Sequence, residues 1–117
     1  MEIKRGDIVY VDLNPVEGNE QGGCRPCVVL QNNLGNMKST TTIIAPISKA
    51  DKKPMPTHVR FVGQGLSCTV MNTIMLEQIR TVSASRLGEV RGHLDKETMK
   101  KVNEAMEISL GLRRVFQ

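Results

Sequence analysis

Short apolar runs alternate with polar segments that contain glycine or proline along residues 8–94 of the chain. The runs are rich in valine, isoleucine and threonine and are about four to eight residues long, which is typical of β-strands. The pattern predicts strands at residues 8–13, 26–31, 41–47, 57–61, 66–71, within 74–82 and at 87–94. We predict a turn over residues 32–36, and we expect Pro46 at a sheet edge or bulge because proline cannot donate to a ladder.

The pattern changes after residue 94, where apolar side chains recur every three or four residues. One helical face would carry Met99, Val102, Met106 and Leu110. The carboxylate of Asp95 suits an N-terminal cap, and Gly111 suits a C-terminal stop. We therefore predict one domain over residues 1–117, mainly β with a C-terminal helix. Its many short strands favour a small barrel or sandwich of antiparallel strands.

Two long loops interrupt the pattern, at residues 14–25 and 48–56, and long loops in compact domains are often functional. Arg25 ends the first loop, where its guanidinium could hold a phosphate through two parallel hydrogen bonds. Ser48 begins the second loop, and an arginine and a hydroxyl at neighbouring strand ends could bracket one phosphate. The alternatives are a surface salt bridge from Arg25 to Glu20 and a turn-capping role for the Ser48 hydroxyl.

Charge is unevenly distributed along the chain. The 117 residues include 16 Lys or Arg and 12 Asp or Glu, a net charge of +4, but residues 25–80 carry +5 and residues 1–24 carry −3. A positive field of this kind attracts phosphates, although a soluble surface with excess lysine has the same composition. The only aromatic residues are Tyr10, Phe61 and Phe116, which excludes a platform that holds RNA by stacking several bases.

The three cysteines are the remaining candidates for metal or redox chemistry. Cys24 and Cys27 form a CxxC motif, but β-branched residues follow it, whereas a redox pair has its first thiol at a helix N-terminus. A zinc site needs four ligands, and beyond the pair the chain offers only Cys68, His58 and His93, at unrelated positions. We therefore predict no metal and no cofactor, with Cys27 inside a strand and both histidines in structural roles.

The amino-terminal segment is polar from residue 2 and lacks the apolar core of a signal peptide. No apolar run approaches the roughly 18 residues of a membrane span. An odd number of cysteines also argues against a secreted disulfide framework. We therefore expect a cytoplasmic protein without a membrane partner.

Five segments, in the same order, resemble the MazF/PemK family of toxin endoribonucleases. They are KRGDIV at 4–9, EQGGCRP at 20–26 with VVLQN at 28–32, PTHV at 56–59, LEQIRT at 76–81 and the helix after 94–95. The GGxRP element before a buried strand and LEQIRT in register downstream are the more specific of these. Together the segments extend over nearly all 117 residues.

The resemblance implies a small SH3-like barrel, the fold of MazF and CcdB toxins, usually assembled as a homodimer. It also implies the toxin of a type II toxin–antitoxin system, an mRNA interferase that cleaves single-stranded RNA at specific sequences without a metal ion. A cognate antitoxin protein would block the site by binding across the dimer.

The family's functional residues map onto the loop ends. Its catalytic arginine falls on Arg25, and its second catalytic residue, usually threonine, falls on Ser48, which keeps the hydroxyl but lacks the methyl group that restricts χ1. In the implied reaction the ribose 2′-OH attacks the adjacent phosphate, Arg25 stabilises the developing charge and Ser48 donates to a phosphoryl oxygen. Glu20 is a candidate general base. Seven further residues are expected to bind RNA phosphates or base edges: Gln21, Lys49, Lys52, Lys53, Glu77, Gln78 and Arg80.

Two other functions stay open at this point. One is a non-enzymatic toxin of the same barrel fold that poisons DNA gyrase, because gyrase-directed relatives depend on a C-terminal aromatic and Phe116 lies near the end of this chain. The other is a small RNA-binding module without catalysis. Fold alone does not decide among them.

Overall fold

The computed structural model describes residues 1–49 and 53–114, which form seven strands and two α-helices. The strands are β1 (Asp7–Asp12), β2 (Cys24–Val29), β3 (Thr41–Ser48), β4 (His58–Phe61), β5 (Asn72–Met75), β6 (Arg80–Ser83) and β7 (Leu87–His93). The helices are α1 (Asn33–Lys38) and α2 (Lys96–Ser109), and two 3-10 turns, Leu76–Gln78 and Ala84–Arg86, flank β6. The predicted class, mainly β with a C-terminal helix, is confirmed.

All strand pairings within the described ranges are antiparallel. The strand order is β4-β5-β3-β2-β1-β7, and β6 pairs with β3 beside this path. On its side away from β2, strand β3 therefore pairs with two strands in succession, with β6 at residues 41–44 and with β5 at residues 47–48. Pro46 lies in the gap between them, an irregularity of the kind predicted for this proline. The long strand β3 thus links two groups of strands and ends at Ser48.

The three central strands bury side chains on both faces. One cluster packs under α2 and contains, from these strands, Ile8, Val28, Ala45 and Ile47. The other cluster contains, from the same strands, Val9, Val11, Cys27, Val29 and Ile44. Strands covered on both faces are almost continuously apolar, as these are. Because burying one aliphatic side chain stabilises the fold by roughly 1.5–3 kcal/mol, β1–β3 form a firm base for the residues at their ends.

Helix α2 begins and ends where the sequence predicts. The Asp95 carboxylate accepts a hydrogen bond from the Thr98 backbone N–H at 2.8 Å, and the hydrogen bonds from Thr98 hold the pKa of Asp95 below its ordinary value. At the other end, Gly111 has a φ of +75°, and the Leu112 N–H donates to the Glu107 carbonyl at 2.8 Å. This backbone pattern is a Schellman C-cap, in which glycine takes the left-handed position.

The predicted apolar face of α2 is confirmed for three of its four residues. Val102 is buried, and Met99 and Met106 pack against the cluster that contains it. Leu110 is 59% exposed, so its assignment to the buried face is wrong. Leu110 follows the last helical residue, Ser109, and the chain turns there towards solvent.

The turn predicted over residues 32–36 is wrong, because Asn32 caps helix α1 and residues 33–36 belong to it. The Asn32 Oδ1 caps this helix by accepting from the Gly35 N–H at 2.7 Å. Asn36 is fully buried, and its amide bonds the Gln31 carbonyl at 3.0 Å and the Thr42 hydroxyl at 2.7 Å. The asparagines that suggested a turn therefore cap and anchor a short helix.

The strand predicted at residues 66–71 is wrong, because β5 starts only at Asn72. The Ser67 hydroxyl accepts from the Val70 N–H at 3.0 Å, and the Asn72 side-chain nitrogen donates to the Ser67 carbonyl at 3.2 Å. Local side-chain bonds of this kind compete with a strand ladder. Val70 and Met71 are left 46% and 48% exposed.

Candidate active site

The loop between β1 and β2 determines where Arg25 lies. The pairing of these strands aligns Val11 with Arg25. At the base of the loop, the Leu13 N–H donates to the Gly23 carbonyl at 3.1 Å. Gly23 has a φ of +82°, a left-handed conformation that favours glycine and lets the chain turn into β2. Arg25 therefore lies at the junction of a loop and a strand, as the sequence predicts.

Arg25 and Ser48 lie near the ends of two neighbouring strands. The pairing of β2 with β3 aligns Cys27 with Pro46, so that Arg25 is two residues before one member of this pair and Ser48 is two residues after the other. Both residues line one cleft of about 370 Å³, which we call the Arg25 cleft. Other residues in its wall include Tyr10, Cys24, Pro26 and Lys49.

Neutral partners hold the guanidinium of Arg25. Its Nε donates to the Gly22 carbonyl at 2.9 Å. In the amide orientation that satisfies both groups, the side-chain oxygen of Gln21 accepts from the two terminal nitrogens of Arg25 at 3.0 and 2.9 Å. The salt bridge to Glu20 is absent, and across residues 1–49 and 53–114 no carboxylate pairs with Arg25. Neutral acceptors therefore engage the guanidinium without compensating its positive charge.

The sheet, rather than a loop, places the hydroxyl of Ser48. Ser48 is the last residue of β3, pairs with Thr73 of β5 and is only 4% exposed. The next residue, Lys49, is exposed and lines the same cleft. Arg25, Ser48 and Lys49 thus line one cleft, and side chains of these three types suit a phosphodiester.

Gln21, whose amide holds Arg25, lines a different cleft of about 420 Å³, which we call the Gln78 cleft. Its walls come from the β1–β2 loop and from the segment that includes the 3-10 turn Leu76–Gln78. The backbone N–H of Gln21 donates to the Gln78 Oε1 at 3.2 Å. Five of the predicted site residues lie together in this cleft: Glu20, Gln21, Glu77, Gln78 and Arg80.

The other predicted site residues are less concentrated. Glu20 lines the Gln78 cleft rather than the Arg25 cleft, and its Oε1 accepts from the Glu17 N–H at 2.6 Å. Lys53 is exposed and lines neither cleft. Lys52 lies outside the described residues. The structure therefore brings Lys49, but not Lys53, beside the proposed catalytic pair.

Both oxygens of the Glu77 carboxylate are held in place. The Thr57 hydroxyl donates to Oε1 at 3.1 Å, and the His58 Nε2 bonds Oε2 at 2.9 Å. The His58 side chain is 5% exposed, and its Nδ1 has no hydrogen-bond partner among the described residues. A proton on Nδ1 would be a buried, unsatisfied donor, so we place it on Nε2. His58 thus has a structural role, as predicted, and fixes a carboxylate of the Gln78 cleft.

The CxxC motif does not form a reactive pair. Cys27 is fully buried in β2, and burial raises the pKa of its thiol to about 12. A thiol of that pKa is inert at neutral pH. Cys24 is exposed at the start of the same strand. Within the part of the chain that the structure describes, no group of three or more His, Cys, Asp or Glu side chains could hold a metal ion.

Sequence reasoning missed Tyr10, which lines the Arg25 cleft. The register of β1 and β2 aligns Tyr10 with Pro26, the neighbour of Arg25. The guanidinium of Arg91 lies 5.2 Å from the centre of the Tyr10 ring. Treating residues 14–23 as the loop of one hairpin would have brought Tyr10 beside the site. Asn19, in the wall of the Gln78 cleft, was also missed and carries no comparable signal.

Comparison with known proteins gives this geometry a family context. A model of the PemK-like, MazF-like toxins of type II toxin-antitoxin systems matches residues 4–110. The chain belongs to this family. The expectation drawn from the GGxRP and LEQIRT segments is therefore confirmed.

Two relatives of this family resemble the chain over nearly its whole length. Endoribonuclease EndoA of Bacillus subtilis (strain 168) is 47% identical over 113 residues, which are 96% of this chain and 97% of the relative. Endoribonuclease MazF of Staphylococcus saprophyticus is 44% identical over 114 residues, 97% of this chain and 95% of the relative. Neither these relatives nor the family model support the alternative of a toxin that poisons DNA gyrase. The C-terminal residues on which that alternative depends, 115–117, lie outside the described residues.

Solved structures of such toxins share the fold. MazF from Deinococcus radiodurans superposes with a TM-score of 0.80 at 23% identity, over 93% of this chain and 96% of that one. A mycobacterial endoribonuclease, solved in complex with its cognate antitoxin, superposes with a TM-score of 0.79 at 24% identity, over 96% of this chain and 98% of that one.

Neither α1 nor α2 has the length and apolar character that crossing a membrane requires.

Proposed function

We propose that the chain is an endoribonuclease that cuts single-stranded RNA at specific sequences without a metal ion, as the toxin of a type II toxin–antitoxin system. Residues 1–117 would act as one MazF/PemK-like domain. The observation that carries the proposal is that Arg25 and Ser48, from two neighbouring strands, line one cleft. Support also comes from the relatives that are 44% and 47% identical, both of which are named endoribonucleases.

The donors of the Arg25 cleft suit attack by the ribose 2′-OH. A bond forms between the 2′-oxygen and phosphorus, and the bond from phosphorus to the 5′-oxygen of the next nucleotide breaks. Negative charge develops on the non-bridging oxygens, where the Arg25 guanidinium stabilises it and the Ser48 hydroxyl donates a hydrogen bond. Glu20, in the wall of the neighbouring cleft, stays our candidate for the base that takes the 2′-proton.

The Gln78 cleft would read the sequence of the RNA. Its carboxylates and amides, from Glu77, Gln78 and Gln21, can accept from and donate to exposed base edges. Arg80 in the same cleft and Lys49 in the Arg25 cleft would hold backbone phosphates, together with Lys52 and Lys53.

We expect the active form to be a cytoplasmic homodimer that a cognate antitoxin inhibits. Phe61 pairs with Asn72, and the residues next to this pair, Val62 and Met71, are nearly half exposed, at 46% and 48%. An exposed apolar pair of this kind can contribute to an interface. Light scattering should give a mass of about twice the 13.0 kDa of one chain. A mass of one chain at micromolar concentration would contradict the dimer.

A direct assay tests the nuclease proposal. The purified protein is incubated with a long RNA of mixed sequence in excess EDTA, and the 5′ ends of the fragments are sequenced. We expect cuts that share a short sequence, and no cuts with the Arg25→Ala variant. RNA that stays intact with the wild-type protein, or cleavage that needs a divalent metal, would contradict the proposal.

A further inference from the structure

Three of the five N–H bonds of the Arg25 guanidinium are already engaged within the protein. Nε–H donates to the Gly22 carbonyl at 2.9 Å. One N–H from each terminal nitrogen donates to the single amide oxygen of Gln21, at 3.0 and 2.9 Å. Because one oxygen accepts both hydrogen bonds, these two N–H groups are the pair that converges at the end of the guanidinium, which we call the Arg25 fork. The two remaining N–H groups of the terminal nitrogens point away from each other. A phosphate that binds an arginine through two parallel hydrogen bonds needs an adjacent pair. Arg25 therefore cannot bind a phosphate through two parallel hydrogen bonds while the Gln21 amide stays in place.

Gln21 also belongs to the other cleft. Gln21 lines the wall that contains Glu77 and Gln78, and its backbone N–H donates to the Gln78 Oε1 at 3.2 Å. A glutamine amide can donate and accept at once, which is the capacity needed to pair with a base edge. One residue thus holds Arg25 and faces the cleft that we assign to base recognition.

We propose that Gln21 couples RNA recognition to cleavage. In the free protein its amide oxygen occupies the Arg25 fork. When a preferred single-stranded sequence fills the Gln78 cleft, a base N–H takes this oxygen as its acceptor, and the fork is released to the scissile phosphate. A sequence that offers no such donor leaves Arg25 engaged. Specificity is then exerted on turnover as well as on binding, as in other induced-fit enzymes.

This inference rests on the proposed nuclease function and predicts an unusual gain of activity. The variant Gln21→Met keeps the length of the side chain and removes the oxygen, so that Arg25 is free with every RNA. Cleavage rates are measured in EDTA on a pool of RNAs that carry the preferred sequence or one of its single-base variants. We expect cleavage of the single-base variants to rise at least about threefold above wild type. The control Lys38→Met, an exposed substitution in α1, should leave all rates unchanged.

Two outcomes would overturn the coupling. The first is cleavage of the single-base variants by Gln21→Met at or below the wild-type rate, which would mean that Gln21 only supports Arg25. The second concerns Gln21→Glu, whose carboxylate would hold the fork more strongly by a charge-assisted bond. We expect cleavage of every RNA by this variant to fall at least about 100-fold with the melting temperature preserved, whereas wild-type rates would contradict the proposal. A wild-type protein that cuts no RNA would instead refute the nuclease function itself.

Discussion

The two clefts that meet at Gln21 differ in how they are built. The Arg25 cleft takes Arg25 and Ser48 from paired strands whose faces are buried on both sides. The Gln78 cleft is built from the β1–β2 loop and the segment around a 3-10 turn, and it includes two carboxylates, Glu20 and Glu77. Residues on strands are held more precisely than residues on loops, whereas loops tolerate variation.

The charges of the two clefts differ in the same sense as their construction. Arg25 and Lys49 attract any RNA backbone to the Arg25 cleft, whatever its sequence. In the Gln78 cleft the carboxylates of Glu20 and Glu77 repel phosphates and favour bases that donate hydrogen bonds to them, although Arg80 in the same cleft can hold a phosphate. Contacts with the reacting phosphate are therefore assigned to the strand-based cleft, whereas the loop-based cleft is assigned the choice of sequence and also contains Glu20, the candidate base.

The largest expected effect separates the two arginines. Arg25→Ala should lower kcat about 10³-fold, because the developing charge on the phosphate loses its main donor. Arg80→Ala removes a cation from the other cleft and should lower kcat/KM about tenfold, mainly through KM. Single-turnover cleavage of a short RNA gives both numbers, and circular dichroism reports folding. Equal losses of kcat in the two variants would remove the distinction between the clefts.

A smaller effect is expected at Ser48. Ser48→Ala should lower kcat about 100-fold, since it removes one donor to the phosphoryl oxygen. Ser48→Thr restores the hydroxyl together with a methyl group that restricts χ1, and should stay within about threefold of wild type. The same cleavage assay measures both. An alanine variant that keeps half of the wild-type activity would exclude the hydroxyl from the reaction.

Glu77 should affect the choice of sequence more than the rate. Glu77→Gln keeps the size of the side chain, removes its charge and leaves only one oxygen for the donors on Thr57 and His58. We expect kcat/KM on the preferred RNA to fall about tenfold, and the mapped cut sites to change, while kcat at saturation is nearly preserved. Glu97→Gln, an exposed change in α2, is the matched control. Unchanged cut sites would argue against recognition by Glu77.

Cys24 and Cys27, the two cysteines close to Arg25 in the sequence, should respond differently to alkylation. Neither takes part in the proposed cleavage reaction. Iodoacetamide at pH 8 should modify Cys24, which is exposed in the Arg25 cleft, and spare buried Cys27, as mass spectrometry of peptides would show. Burial raises the pKa of Cys27 from 9.0 to about 12, so the folded state resists losing this proton. Stability is therefore unaffected by Cys27 below about pH 9 and falls by about 1.4 kcal/mol per pH unit between about pH 9 and pH 12. Cys27→Ala should reduce this loss, and an unaltered pH dependence would contradict the assignment.

Local patterns were sufficient where neighbours in sequence decide the structure. The Asp95 cap and the Gly111 stop of α2, and three of the four residues on its predicted apolar face, depend on short-range patterns and were predicted correctly. Arg25 and Ser48 could be placed at strand ends because apolar runs begin or end beside them. The family resemblance then assigned roles that the residues alone left open.

Other features depend on contacts between distant residues and were out of reach. Apolar residues 66–71 resembled a strand, but the Ser67 hydroxyl and the Asn72 amide hold them in turns. The bond between Gln21 and Gln78 spans 57 positions, and no pattern in the sequence indicates it. Tyr10 entered the site through the β1–β2 register, which follows from the length and shape of the intervening loop. Strands and helix caps can thus be predicted from the sequence, whereas the contacts of Gln21 that link the two clefts depend on the tertiary fold.

The proposed mechanism depends most on the 2′-OH being the nucleophile, with Arg25 and Ser48 stabilising the phosphate that it attacks. One RNA oligonucleotide containing the preferred sequence is therefore compared with a series in which a single ribose at a time is replaced by 2′-deoxyribose, all in excess EDTA. We predict that only the sugar on the 5′ side of the cut matters, and that its replacement slows cleavage at least about 10³-fold. Cleavage of that oligonucleotide at the all-ribose rate would contradict the mechanism and the role assigned to the Arg25 cleft.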